Sequence, residues 1–170
     1  LSNYGVGGQV LEWIKSFLTG RRQRVRVAGE CSDWVCVDSG VPQGSVLGTL
    51  LFVCYINDLP DCVKSSIYMY ADDTKITRRV DSVNDREALQ EDLERLDDWS
   101  DRWQLKFNAN KCTVMHIGRQ GVLGKQEYSM KKHGTNEKEV LKESEVEKDL
   151  GIWVDNKLKF SVHVVKVVNK

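Results

Sequence analysis

Apolar residues recur at helical spacing in some stretches of this chain and alternate with polar ones in others. Val10, Leu11, Ile14 and Leu18 share one side of a 3.6-residue turn, which predicts an amphipathic helix over Gly8–Leu18 with Gly20 as its C-cap. Residues 22–28 then alternate arginine and valine (Arg24, Val25, Arg26, Val27), the pattern of a half-buried strand. Gly29-Glu30 turns that strand back into 31–38, where Trp34, Val35 and Val37 make its partner. The mostly apolar stretch from Val46 to Leu59 reads as a buried helix, opened by Ser45 as N-cap and closed just before Pro60.

Ser65-Ser66-Ile67-Tyr68-Met69 and Thr74-Lys75-Ile76-Thr77 read as the two arms of a β-hairpin. Asn84-Asp85-Arg86-Glu87 predicts a capping box, and Leu89, Leu93, Leu96, Trp99 and Trp103 continue as one apolar stripe on a long helix. The two tryptophans are read as core anchors of a helix that covers a sheet. Residues 113–117 and 150–154 predict further strands, with Asp155-Asn156 as the turn after the second. Between them, a glycine-containing insert around Gly121 opens a stretch with weak periodicity that runs to Lys142. Hairpins with helices between them define an α+β domain built on an antiparallel sheet, with helices packed on one face.

Composition narrows the picture by exclusion. At 170 residues the chain is one domain's worth, and 25 basic against 25 acidic residues leave no net charge to argue for a polyanionic partner. Positive charge can still gather locally, and Gly20-Arg21-Arg22-Gln23-Arg24-Val25-Arg26 is one such stretch. Residues 125–142 are another, diluted by Glu127, Glu137 and Glu139 and read as solvated surface. Cys31, Cys36, Cys54, Cys62 and Cys112 are odd in number and lack a C-x-x-C pair, so they read as reduced thiols of an intracellular protein. Cys112 and His116 share a strand face as packing rather than ligands, and His133 and His163 have no nucleophile beside them. No apolar run approaches the ~18 to 20 residues that cross a bilayer.

Two stretches carry candidate chemistry. Tyr70-Ala71-Asp72-Asp73 places paired aspartates at a hairpin tip, where like charges repel unless a cation sits between them. Carboxylate oxygens suit a hard divalent ion, although Asp also favours ordinary turns. Gly40-Val41-Pro42-Gln43-Gly44-Ser45 feeds a helix N-terminus, whose free N–H groups and dipole suit phosphate; its simpler reading is a well-capped helix start.

In order along the chain, these stretches resemble the reverse transcriptase of non-LTR retrotransposons. Phe107-Asn108-Ala109-Asn110-Lys111-Cys112, Glu147-Lys148-Asp149-Leu150-Gly151-Ile152, then Leu158, Phe160 and His163, extend the resemblance over nearly the whole chain, as does Tyr4-Gly5-Val6-Gly7-Gly8 at its start. Thr49 departs from the proline common in relatives. The resemblance implies a partial right-hand polymerase, with 1–119 as a partial palm and 120–170 as the end of the palm and the start of a thumb connection. It implies RNA-directed DNA synthesis from an RNA template, a DNA primer and deoxynucleoside triphosphates, with Mg²⁺ or Mn²⁺ held by Asp72 and Asp73. Pro42, Gln43, Gly44, Tyr70 and Ala71 would line the nucleotide, Lys111 would act on the leaving pyrophosphate, and Leu150 and Gly151 would grip the primer. A first catalytic aspartate is expected on a palm strand before Leu1, with fingers ahead of it and a thumb beyond Lys170, so the chain reads as a fragment. Two other readings stand beside this one: a catalytically inert remnant that at most binds nucleic acid, and an unrelated α+β domain whose Asp pair is only a turn.

Overall fold

The computed structural model describes residues 1–118, 124–132, 135 and 137–169, so the expectations for Gly121 and His133 lie outside the described residues. The chain forms two compact units, Leu1–Asp58 and Leu59–Lys170.

In the first unit, helix α1 spans Gly8–Leu18, as its apolar spacing predicts. Thr19 caps it, donating its N–H and its hydroxyl to the Lys15 carbonyl, and Gly20 follows in the left-handed region at φ 63°. Four short strands come next: β1 (Arg22–Gln23), β2 (Arg26–Val27), β3 (Glu30–Cys31) and β4 (Val35–Cys36). β1 pairs with β4 and β2 with β3, both antiparallel, so the expected hairpin is present as an interrupted ribbon. Its tip, Ala28-Gly29, has φ of 49° and 93°, the pair of positive angles that a type I′ turn requires. Helix α2 spans Val46–Ile56 and is capped by Ser45, whose hydroxyl oxygen accepts the Gly48 N–H at 3.0 Å. The expectation of a buried helix is corrected here. Only Gly48 and Ile56 are buried, and Val46, Leu50 and Val53 stay exposed because no element among the described residues covers them.

The second unit opens with a 3-10 turn over Leu59–Cys62, then strands β5 (Ser66–Tyr70) and β6 (Asp73–Thr77) as one antiparallel hairpin. Helix α3 runs Val83–Trp103. Its capping box lies two residues earlier than expected: Ser82 accepts from the Asp85 N–H, and Asp85 accepts from the Ser82 N–H at 3.0 Å. Asn84 is already inside the helix, so its side chain cannot cap it. Strands β7 (Thr113–Val114), β8 (Ser129–Lys131), β9 (Lys138–Val140), β10 (Lys142–Glu143), β11 (Val146–Asp149) and β12 (Ile152–Asp155) follow, and helix α4 (Ser161–Val168) closes the unit. β8–β9 and β11–β12 are antiparallel hairpins, whereas β7 and β10 pair in parallel. Among the described residues the strands thus form separate two-stranded ladders, not the one continuous sheet expected.

The core of this unit gathers Leu59, Leu93, Leu96, Trp99, Ala109, Tyr128, Met130 and Leu141. Trp99 is a core anchor, packed against Phe107 at 6.4 Å between ring centroids. Trp103 departs from the expectation: it sits in the last turn of α3 and is 36% exposed. The helix packs on the Leu59–Cys62 turn and on β8, and it binds the edge of β8 as a neighbouring strand would. The Gln90 side-chain amide exchanges two 3.0 Å hydrogen bonds with the Ser129 backbone, and the Asp97 carboxylate accepts the Lys131 N–H at 2.8 Å.

Candidate active-site hairpin

Residues at the β5–β6 tip owe their placement to strand alternation. Tyr70 pairs with Asp73, Tyr68 with Lys75 and Ser66 with Thr77, so these six share the exposed face. Ile67, Met69, Thr74 and Ile76 face the other way and are half-buried. Ala71 and Asp72 form the two-residue loop, with φ positive at Ala71 (52°) and not at Asp72, the pattern of a type II′ turn. Burial of the apolar face therefore fixes both carboxylates outward: Asp72 at the tip and Asp73 on the first residue of β6.

The base of the hairpin is held by a group the sequence reading missed. Asp92 on α3 is fully buried, and its carboxylate accepts from the N–H groups of Lys64 (3.0 Å) and Ser65 (2.8 Å), from the Ser65 hydroxyl (2.6 Å) and from Arg95 (2.5 Å). Arg78, just past β6, donates to the same Ser65 hydroxyl and lies 3.9 Å from Asp92. Burial pushes the Asp92 pKa up, but the hydrogen bonds from Ser65 and Lys64 outweigh it and hold the carboxyl below its ordinary value. The signal was available, because Asp92 falls on the Leu89–Leu93–Leu96 stripe and a carboxylate on an apolar stripe needs partners. The hairpin is thus clamped at one end and free at the end that bears the aspartates.

A second tie reaches the hairpin from the side. The Lys75 ammonium pairs with the Asp149 carboxylate and lies 5.8 Å from the Tyr68 ring. Asp149 ends β11 and pairs with Ile152, so Leu150-Gly151 forms the tight turn between β11 and β12, at φ of 46° and 89°. The structure therefore brings the Asp72-Asp73 hairpin and the Leu150-Gly151 hairpin together within one unit. Beyond β12, the buried Asp155 carboxylate accepts from the N–H groups of Lys157 and Lys159, and His163 Nδ1 accepts from the Trp153 N–H at 3.3 Å. These bonds give Leu158, Phe160 and His163 a local structural context. Lys111 ends a 3-10 turn over Ala109–Lys111 and is exposed. Cys112 is half-buried, and burial pushes its thiol pKa up.

In the first unit, Pro42-Gln43-Gly44-Ser45 is a reverse turn closed by the Ser45 N–H on the Pro42 carbonyl, with Gly44 at φ 81°. Positive φ at its third residue is the type II pattern and leaves Gln43 exposed at the tip. Arg21 steadies the approach to this turn, donating to the carbonyls of Leu18, Ser39 and Gly40. Gly48 was not singled out in sequence, yet a Cβ there would meet the Ser45 hydroxyl at 2.7 Å and the Pro42 carbonyl at 3.0 Å.

The donor set at the hairpin tip suits a hard cation that keeps part of its water shell, since two exposed carboxylates supply oxygens and little else. Among the described residues no group of three or more His, Cys, Asp or Glu side chains converges as a metal cage. Nor, among them, is any helix long and apolar enough to cross a membrane.

Residues 1–154 match the family model described as reverse transcriptase (RNA-dependent DNA polymerase), and the chain belongs to that family. It is 33% identical over 164 residues to the RNA-directed DNA polymerase from mobile element jockey of Drosophila melanogaster, covering 91% of this chain. It is 31% identical over 160 residues to a protein of the same fly named "Probable RNA-directed DNA polymerase from transposon X-element", and 35% identical over 113 residues to the jockey polymerase of Drosophila funebris, which covers 61% of this chain. The chain spans 17% of the length of each of the two Drosophila melanogaster relatives and 12% of the other. No solved structure matches it.

Proposed function

We propose that this chain is the part of an RNA-directed DNA polymerase that seats the incoming nucleotide and its divalent cation, copying an RNA template onto a DNA primer. What supports the reading most is the Asp72-Asp73 pair, carried outward at the tip of a hairpin whose base is clamped by buried Asp92, within a chain that matches the family over residues 1–154. Mg²⁺ or Mn²⁺ fits these oxygens, and a pair of such ions, when bound, stabilises charge on the attacking and leaving oxygens. Asp72 would be the direct ligand, with Asp73 serving the ion from a second position. Gln43 presents an amide donor and acceptor to the nucleotide, and the open space above Gly44 leaves the backbone there approachable. Pro42 shapes that turn, Tyr70 and Ala71 flank the primer end, and Lys111 meets the leaving pyrophosphate. Leu150 and Gly151 hold the primer backbone beside the aspartates. In this reading residues 1–119 are palm, and 120–170 finish the palm and lead toward a thumb, completing a right-hand polymerase with the rest of the protein.

Primer extension on a primed RNA template tests this in an intact polymerase containing the chain. Asp72→Asn is expected to lower kcat by ~10²–10³, the scale for removing one positioned charge-stabilising group. Gln43→Ala is expected to raise KM for the nucleotide more than it lowers kcat. Wild-type turnover in Asp72→Asn would contradict the assignment. The isolated chain is expected to extend nothing, because two carboxylates on one turn do not position both reactants, and positioning alone is worth ~7–11 kcal/mol of barrier.

A further inference from the structure

The Lys75–Asp149 ion pair occupies a place in the second unit that its contribution to stability does not explain. The β5–β6 and β11–β12 hairpins are separate two-stranded ladders, so no strand-to-strand hydrogen bonds hold one against the other. Among the described residues, the polar contact between them is this pair. Alternation puts Lys75 on the same exposed face as Asp73, two residues and ~7 Å along β6. Tyr68 stands opposite Lys75 in the ladder, and its ring lies 5.8 Å from the ammonium, a cation–π contact that restrains the lysine. Asp149 is the last residue of β11, directly before the Leu150-Gly151 turn. The two side chains are 53% and 42% exposed, and an ion pair so open to solvent adds little to stability. Nor does it seal a core, since Tyr70 and Leu150 near its two ends are themselves exposed.

We propose that Lys75 and Asp149 are positioning residues, whose ion pair sets the separation between the aspartate tip and the Leu150-Gly151 turn. With that separation it sets the alignment of the primer 3′-hydroxyl on the bound cation. The inference rests on the reading of the two tips as cation site and primer hold. Neither residue touches the reacting atoms. Removing either leaves each hairpin held by its own ladder but frees one to shift against the other. A displacement of ~1 Å at the reacting atoms can cost ~10²-fold in rate. Contacts to the nucleotide are untouched, so the loss falls on kcat. A lysine that met a phosphate directly would behave differently, because Asp149 would then be dispensable.

The test is a double-mutant cycle in an intact polymerase containing the chain, with kcat, nucleotide KM and melting temperature measured for each variant. Lys75→Gln and Asp149→Asn are each expected to lower kcat by about tenfold to a hundredfold. Nucleotide KM and melting temperature should stay nearly unchanged. The two substitutions alter the charge beside the cation in opposite directions, so equal losses report geometry and not field. The double variant should be no slower than either single, and Lys75→Arg, which keeps the bridge, should stay near the wild-type rate. A loss in Lys75→Gln without one in Asp149→Asn, additive losses, or a marked fall in melting temperature would overturn the inference. Asp72→Asn distinguishes the two levels of the argument. If it loses activity while Lys75→Gln and Asp149→Asn keep theirs, only the bridge is wrong; wild-type turnover in Asp72→Asn contradicts the cation site, and the bridge with it. A readout free of turnover comes from the isotope-labelled chain. Asp149→Asn should shift the amide signals of Tyr68 and Lys75, and Lys75→Gln those of Leu150 and Gly151. No shift across the two hairpins would overturn the inference whatever the activity.

Discussion

Two buried carboxylates on one helix, five residues apart, respond to burial in opposite ways. Asp92 has enough donors that its pKa lies below the ordinary value, so its contribution to stability is present above the unfolded-state pKa and fades as pH falls through the folded one. Asp97 is raised, chiefly by burial, which the single Lys131 N–H and the Lys131 charge do not offset. Its charged form is disfavoured in the fold, so it contributes in the opposite sense and stability gains as pH falls through its folded pKa. Urea melts from neutral pH down through ~pH 3 should therefore show Asp92→Asn costing about 3 kcal/mol or more at neutral pH and flattening the acid loss. Asp97→Asn, whose amide oxygen can still accept the Lys131 N–H, should cost less than ~1.5 kcal/mol at the same pH. Equal costs would mean that the donor count at Asp92 is not what clamps the hairpin.

At the scale of elements, the Pro42–Ser45 turn and α2 compete over one atom. Alanine is a better helix former than glycine by ~1 kcal/mol, yet Gly48→Ala should destabilise, because the new Cβ collides with the Ser45 cap and the Pro42 carbonyl. Thermal melts decide the sign; a raised melting temperature would show that the turn yields freely. Leu93, buried on α3, should cost ~2–5 kcal/mol when truncated to alanine, and melts unchanged by that substitution would mean α3 packs elsewhere. Much at this scale was legible in the sequence. The bounds of α1, the start of α2, the Ser45 cap and the Tyr70-to-Asp73 hairpin follow from local chemistry and appear where that chemistry puts them, whereas α2 ends at Ile56, short of Pro60. What escaped was non-local or weakly patterned. Strands of two to four residues such as β8, β10 and β11 are too short to show alternation, and α4 lies against β12 without a side-chain N-cap, with Val164, Val165, Val167 and Val168 exposed. Asp92 and Asp97 were not singled out in the sequence, because their partners lie 27 to 34 residues away.

For the whole molecule, membership of the reverse transcriptase family and the exposed aspartate pair motivate the central proposal, that the Asp72-Asp73 tip would hold the divalent cation of polymerase chemistry. The competing possibility within the same chain is generic attraction to other acidic surface, such as Asp98 and Asp101 near Lys131. Paramagnetic broadening separates the two most directly. Titrating Mn²⁺ into the isotope-labelled chain should broaden the backbone amide signals of residues 70–74 first, and Asp72→Asn combined with Asp73→Asn should abolish that broadening while leaving other signals unchanged. Broadening centred on Asp98 and Asp101, or persisting at residues 70–74 in the double variant, would contradict the account.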